Sequence, residues 1–263
     1  MADEEPRFGF GDNWRRYLDQ ADDEALLEAN AALCDLLGLQ DLSGKTFLDI
    51  GSGSGVHSLA AHDLGAVVTS FDYDADSVAC TTELWRRRGE PPTWRVEQGS
   101  ALDAEYLARL GTFDLVYSWG VLHHTGDMWA AIRGAADRVA ADGVFVIGIY
   151  NRRRLLSQMM WALKRGYVGA GPIGKKALMY SYWAFTQSYQ VARGRNPLTA
   201  MKDRRGRGMD YWRDIEDWVG GYPFESAKPA EVRDFVEPLG FTLVEQRTKT
   251  GFAHVNEYIF HRR

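Results

Sequence analysis

Two adjacent histidines, His123 and His124, close the apolar run FDLVYSWGVL (113–122) and are the first candidates for proton chemistry. A neutral imidazole titrates near pH 6.5, so either could take a proton from an oxygen nucleophile at neutral pH. The competing reading is a strand-end turn whose histidines bind backbone. A second cluster is LDIGSGSG (48–55), with glycines at 51, 53 and 55. Glycines in such a turn let a ligand approach the backbone closely, and a helix starting there offers it free N–H groups. Asp72 ends the apolar part of VVTSFDYD (67–74), where a carboxylate can accept both hydroxyls of a ribose. The spacing is G-x-G-x-G with Val56 in the sixth position. A dinucleotide fingerprint wants glycine or alanine there, which argues against a nicotinamide cofactor. Cys34 and Cys80 have no obvious base beside them and read as helix-core thiols. No acidic cluster follows the 113–122 run and no Cys/His spacing suits zinc, so no metal is expected.

These groups need a scaffold, and the chain supplies an alternation of strands and helices. Short apolar strands are expected at 46–51, 67–74, 93–102, 113–122 and 144–150. Between them lie helices at 56–65 and 75–89, a short one ending at Gly111, and one at 128–141. Strands separated by helices of this length predict a parallel α/β sheet with right-handed crossovers. An earlier helix spans 22–39. After residue 150 the pattern breaks: 155–167 and 176–191 look helical, RGRNPLTAMKDRRGRG is a basic loop, and YWRDIEDWVGGYPFE is aromatic and acidic. A helix at 228–239 and two strands at 241–249 and 254–262, joined by a short glycine-containing turn, close the chain as an antiparallel pair. The expected division is an N-terminal helical lid (1–44), an α/β core (45–150), a basic helical insertion capping the acceptor (151–227) and a closing helix and strand pair (228–263).

DIGSGSG, the acid in FDYD, GSALD and FDLVYSWGVLHH together resemble class I S-adenosylmethionine-dependent methyltransferases, from about Lys45 to Tyr150 and again in the closing elements. The resemblance implies a Rossmann-like seven-stranded sheet of order 3-2-1-4-5-7-6, strand seven antiparallel, with helices on both faces. It implies S-adenosylmethionine as methyl donor, S-adenosylhomocysteine as product and no metal. It implies that Gly51, Ser52 and Gly53 pack on the methionine part, that Asp72 holds the ribose and that Tyr73 lies on the adenine. Ser100, Ala101 and Leu102 would border the adenine, and Ser118 and Trp119 the sulfonium. Asp49 would fix the glycine loop through its carboxylate, or act only as a buried acid capping that loop. His57 would be structural or near the methionine tail. Tyr150 and Asn151 leave the fifth strand on the same sheet edge and could touch an acceptor; Trp14, Tyr211 and Trp212, with Phe10 and Tyr17, could close over it. FGFGDNW, GVLHHTGDMW and DWVGGYPFE resemble a bacterial group related to quinone-type O-methylases. The implied reaction is methylation of a hydroxyl on a small-molecule or glycoconjugate acceptor, with N- or C-methylation and a non-catalytic scaffold as alternatives.

Composition bounds the partners. At 263 residues, 45% hydrophobic and 25% charged, the chain is of ordinary globular type. The N-terminal residues are acidic without an apolar run, no stretch nears the roughly 18 apolar residues of a membrane span, and two cysteines make no disulfide framework. A cytoplasmic location is therefore expected. The net charge of −5 hides a segment, 151–209, with thirteen basic residues against the single acid Asp203. That segment reads as a solvated basic helix pair, as a funnel for an anionic acceptor, or as a membrane-surface cap, the last because Trp161, Tyr167, Tyr180, Tyr182, Trp183 and Phe185 are interleaved with the basic residues. Nucleic acid is not expected, since the rest of the chain is strongly acidic.

Overall fold

The computed structural model describes residues 7–11, 23–194, 196, 211–248 and 255–263, and only the backbone of 23–29, 211, 213 and 214. Five strands run parallel: β1 (Thr46–Ile50), β2 (Val67–Asp72), β3 (Trp94–Gln98), β4 (Phe113–Trp119) and β5 (Val139–Tyr150). The closing pair, β6 (Phe241–Arg247) and β7 (Val255–Arg262), is antiparallel, and β7 also runs antiparallel to β5. The order is β3-β2-β1-β4-β5-β7-β6, as expected for a Rossmann-like methyltransferase sheet. It reverses direction at β1 and β4, and that reversal opens a crevice beyond the carboxyl ends of the strands.

Strand periodicity explains why the sheet is buried on both faces. Phe47, Leu115, Tyr117 and Val146 pack on one face with α1 (Asp23–Leu37), α2 (Val56–Asp63) and α3 (Ala75–Arg87). Their neighbours Leu48, Val116, Phe145 and Ile147 pack on the other with α4 (Ala104–Leu110), α5 (Met128–Ala136) and α9 (Pro229–Val236). Successive side chains point to opposite faces, so strands covered on both sides read as continuous apolar runs.

Several boundaries differ from the sequence reading. β4 stops at Trp119, and Leu122–His124 forms a single 3₁₀ turn. β3 ends at Gln98, leaving 99–102 as loop. The helix expected to reach 141 stops at Ala136, because buried Val139 already pairs with Phe113 before a shift in register. Asp142 and Gly143 looked like the end of that helix; they form an irregularity inside β5, with Asp142 at φ 60°.

The segment after β5 folds as α6 (Arg154–Gly169), α7 (Pro172–Ala192) and α8 (Tyr211–Gly220). Pro172 starts α7 four residues before the expected position, where a missing N–H costs nothing. The sequence reading left 211–220 unassigned, yet Ile215 and Val219 lie one helical turn apart and both are fully buried. They join Met160, Tyr167 and Tyr182 in a separate small core.

Candidate active site

A cavity of ≈ 1060 Å³ occupies the crevice. That is at the upper end of small-molecule sites, about 300–1,000 Å³, and leaves room for two ligands side by side. Its floor is the glycine turn. Gly51 has φ 79° and a Cβ there would come within 2.3 Å of Val121, so only glycine fits. The N–H groups of Gly51 and Ser52 donate to the Phe71 carbonyl at 2.8 and 3.1 Å, docking the turn on β2.

Two carboxylates stand on this floor, and their partners reverse part of the sequence reading. Asp72, not Asp49, holds the glycine loop. Asp72 Oδ2 accepts from Gly53 N and Oδ1 from Asp74 N, both at 2.9 Å. A carboxylate has about four acceptor positions, so Asp72 keeps capacity for a diol in the cavity it lines. Burial draws its pKa up to about 6 against these two bonds. Asp49 instead accepts from Ser58 Oγ at 2.5 Å, in the first turn of α2. Ser58 accepts from Ser70 Oγ at 2.7 Å, and Ser70 from Trp94 Nε1 at 2.8 Å. Burial lifts Asp49 to about 7, opposed by the Ser58 bond.

Around this floor, Ser52, Ser100, Ala101, Leu102 and Tyr73 line the cavity. Tyr73 is half-exposed, with the Arg7 guanidinium over its ring at 5.2 Å. Trp119 lines it too, its indole N–H donating to Glu257 at 3.1 Å. Ser118 does not: it is fully buried and donates to the Ile50 carbonyl at 2.9 Å, tying β4 to β1. Its expected place beside a sulfonium is corrected accordingly, because alternation along β4 turns it away from the cavity that Trp119 faces. His57 lines the cavity against the Tyr117 ring, and burial lowers its pKa to about 4.

The two histidines separate. His123 is fully buried and does not line the cavity, and the Gly148 backbone is the hydrogen-bonding group at its ring. Burial, then the charges of His124 and Lys164, hold its pKa well below the usual range. His124 lines the cavity, with Nδ1 2.6 Å from the Pro223 carbonyl. A carbonyl only accepts, so the proton sits on Nδ1, and the Gly221 backbone also bonds the ring. Burial first, then Lys164, lowers His124 to about 3, which keeps it neutral at physiological pH.

Beyond His124 the wall is aromatic: Phe8, Phe10, Tyr150, Trp218 and Tyr222. Phe8 N donates to the Tyr222 carbonyl at 2.9 Å and Gly11 N to Asp74 at 3.0 Å, so residues 7–11 run between the two halves of the cavity. Asn151 lies off the cavity, bridged through its backbone to Ala227. Trp212 also lies off it, half-exposed against Tyr180 and Trp183. Trp14, Tyr17 and the Tyr211 side chain are outside the described residues. Sequence reasoning missed Asp217, Trp218, Arg247 and Glu257, which line the cavity, and Lys164 behind it. The cavity carries the carboxylates of Asp35, Asp49, Asp72, Asp74, Asp217 and Glu257 against two arginines, Arg7 and Arg247. None of the described residues 152–194 lines it. Among the described residues no cluster could hold a metal ion.

A glycine cradle, a cavity carboxylate at the end of β2 with remaining acceptor capacity and an acidic surround fit S-adenosylmethionine, whose sulfonium is cationic. Comparison with known proteins agrees. A family model described as "Methyltransferase domain" matches residues 20–218. The ubiquinone biosynthesis O-methyltransferase of Methylobacterium sp. (strain 4-46) is 32% identical over 118 residues, 45% of this chain and 46% of that protein. Its counterpart in Paramagnetospirillum magneticum is 31% identical over 125 residues, 48% and 47% of the two chains. The matched part is thus less than half the length of these relatives. Among solved structures, magnesium protoporphyrin IX methyltransferase from Synechocystis PCC 6803, crystallised with S-adenosylhomocysteine, superposes with TM-score 0.57 at 16% identity over 96% of this chain and 94% of that one. An O-methyltransferase family protein from Burkholderia thailandensis gives TM-score 0.56 at 12% identity over 91% and 57%. At such identities the likeness concerns the fold.

Proposed function

The chain belongs to the methyltransferase-domain family, and on that premise we propose that it is an enzyme that moves the methyl group of S-adenosylmethionine to a hydroxyl of a small-molecule acceptor. One observation carries the reading: a single cavity joins the glycine turn and Asp72 to the aromatic wall and the imidazole of His124. The names of the curated relatives favour oxygen as the atom methylated. The aromatic wall suits a ring-bearing acceptor.

When bound, S-adenosylmethionine supplies an electrophilic methyl group and leaves as S-adenosylhomocysteine. The chain's part is to bind, align and exclude water. In this reading Asp72 holds the ribose hydroxyls, Tyr73 and 100–102 bracket the adenine, and Gly51, Ser52 and Gly53 receive the methionine part with Asp49 beneath. His124, on the cavity wall, aligns the acceptor hydroxyl; His123 supports Tyr150, whose ring lies 4.0 Å away. Neither acts as a strong base. Calorimetric titration with S-adenosylhomocysteine tests the donor half, with NAD as competitor. Micromolar binding that NAD does not displace is expected; displacement by NAD would favour an oxidoreductase.

A second reading concerns the partner of the basic segment. Leu155, Met159, Trp161, Ile173, Tyr180, Phe185 and Val191 stand exposed on α6 and α7, Ile173 at 87%. No acid occurs between 152 and 194. Apolar side chains interleaved with cations suit an anionic bilayer surface. No helix among the described residues is long and apolar enough to cross a membrane. The absence of the described residues 152–194 from the cavity wall argues against their serving as an electrostatic funnel for an anionic acceptor.

A further inference from the structure

Lys164 is the one lysine or arginine among the fully buried described residues. It stands on α6 one layer behind the aromatic wall. Its Nζ donates to the Trp218 carbonyl at 2.6 Å and lies 5.9, 6.0 and 5.3 Å from the ring centroids of Tyr150, Trp218 and Phe224. Tyr150 and Trp218 are themselves cavity residues. An ammonium shut into such a site is expensive, and an apolar side chain of equal size would be cheaper. A costly cation kept against the acceptor half points to chemistry.

The chemistry lacks one component. Methylation of a hydroxyl needs that oxygen to lose its proton, and the imidazole at hand is a weak base. A cation held behind the acceptor half performs the same task by favouring the oxyanion against the cavity's carboxylates.

We propose that Lys164 is a positioning residue that acts through the Tyr150–Trp218 wall to bias an acceptor hydroxyl toward its ionised form. The inference rests on the methyl-transfer reading above. The O–H bond breaks, its proton leaves to solvent, and the oxygen lone pair so exposed forms the new bond to carbon as the carbon–sulfur bond breaks. The groups facing Lys164 are Asp217 from α8, His123 and His124 from the turn after β4, and Tyr150 from β5. Both histidines are neutral. Burial draws Lys164 down to about 7 while Asp217 opposes. An oxyanion beyond the wall raises it again, so ammonium and oxyanion reinforce each other.

The test uses 4-nitrophenol as probe, whose phenolate is seen by its absorbance, bound to the protein saturated with S-adenosylhomocysteine. In the wild type the midpoint for ionisation of bound probe should fall below that of free probe. Lys164→Arg should keep the shift. Lys164→Met should lose most of it, lowering the phenolate fraction below the midpoint about tenfold. Thermal melts and S-adenosylhomocysteine affinity report whether each variant is folded; if the arginine variant is not, the methionine comparison decides alone. Equal phenolate fractions in wild type and Lys164→Met would overturn the inference. So would a probe bound only as neutral phenol, or not bound at all, while S-adenosylhomocysteine binds. Failure of the wild type to bind S-adenosylhomocysteine would instead remove the reading beneath it.

Discussion

Ser58 donates its hydroxyl proton to Asp49 at 2.5 Å, and that bond ends a chain running from Trp94 through Ser70 and Ser58 to the carboxylate on the cavity floor. An indole N–H can only donate, so every hydroxyl in the chain points the same way and Asp49 is the terminal acceptor. Three strands and α2 are thereby registered on one carboxylate that lines the cavity.

Ser58→Ala removes the last donor and leaves a buried carboxylate without one. A loss of about 1–3 kcal/mol of stability is expected, read from denaturant midpoints. Asp49 has a folded pKa near 7 against an ordinary 3.8. The folded state binds the extra proton between those values, so this group's contribution is fully present below about pH 4 and is lost as pH rises through 7. Asp49→Asn should flatten that part of the stability profile.

Asp72→Ala should weaken S-adenosylhomocysteine binding by about 2–4 kcal/mol, the value of two hydroxyl bonds to a charged acceptor. It also frees Gly53 N, so Asp72→Asn, which keeps one acceptor oxygen, should lose less. Calorimetry on both variants separates ribose contact from loop support. Unchanged affinity in a folded Asp72→Ala protein would exclude the ribose assignment.

Lys164 has a folded pKa near 7 against an ordinary 10.5. The unfolded chain binds the extra proton between these values, so the penalty is full below pH 7 and fades toward 10.5, and stability rises with pH across that window. Lys164→Met should be more stable than wild type at pH 7 or below, by on the order of 1–4 kcal/mol. Melting temperatures at pH 6, 8 and 10 test this; a parallel pH dependence in the variant would exclude it.

The exposed face of α6 and α7 should bind vesicles containing phosphatidylglycerol and not pure phosphatidylcholine, with affinity falling as salt rises. Ile173→Glu and Leu155→Glu should each reduce co-sedimentation while leaving S-adenosylhomocysteine affinity unchanged. Equal binding to neutral vesicles would remove the electrostatic part of the reading.

The parallel sheet was legible because strands such as TFLDI and FDLVYSW are apolar on both faces, as a sheet covered on both sides requires; its order was implied only by the resemblance of DIGSGSG and FDLVYSWGVLHH to class I methyltransferases. The glycine turn and the place of Asp72 at the end of β2 were legible because their signals are local; that Asp72 rather than Asp49 holds the loop was not. The Asp49 relay was not, since Ser58, Ser70 and Trp94 meet only when α2, β2 and β3 pack together. Lys164 looked like one more cation in a basic segment, because its partner Trp218 lies 54 residues away. Trp212 and Trp218 share one helix and only the second lines the cavity; the sequence reading named Trp212 and missed Trp218, because the pattern of 211–220 did not fix the face.

The central claim is tested most directly by incubating wild type and Asp72→Ala with methyl-labelled S-adenosylmethionine and a cell extract. The label is then followed into small molecules, with S-adenosylhomocysteine quantified alongside. The account expects label in a methyl ether, equimolar S-adenosylhomocysteine, and neither product with the variant. Label in the organic phase would join the acceptor to the exposed apolar side chains of α6 and α7. No S-adenosylhomocysteine from a wild type that binds S-adenosylmethionine, or label on nitrogen or carbon, would contradict it.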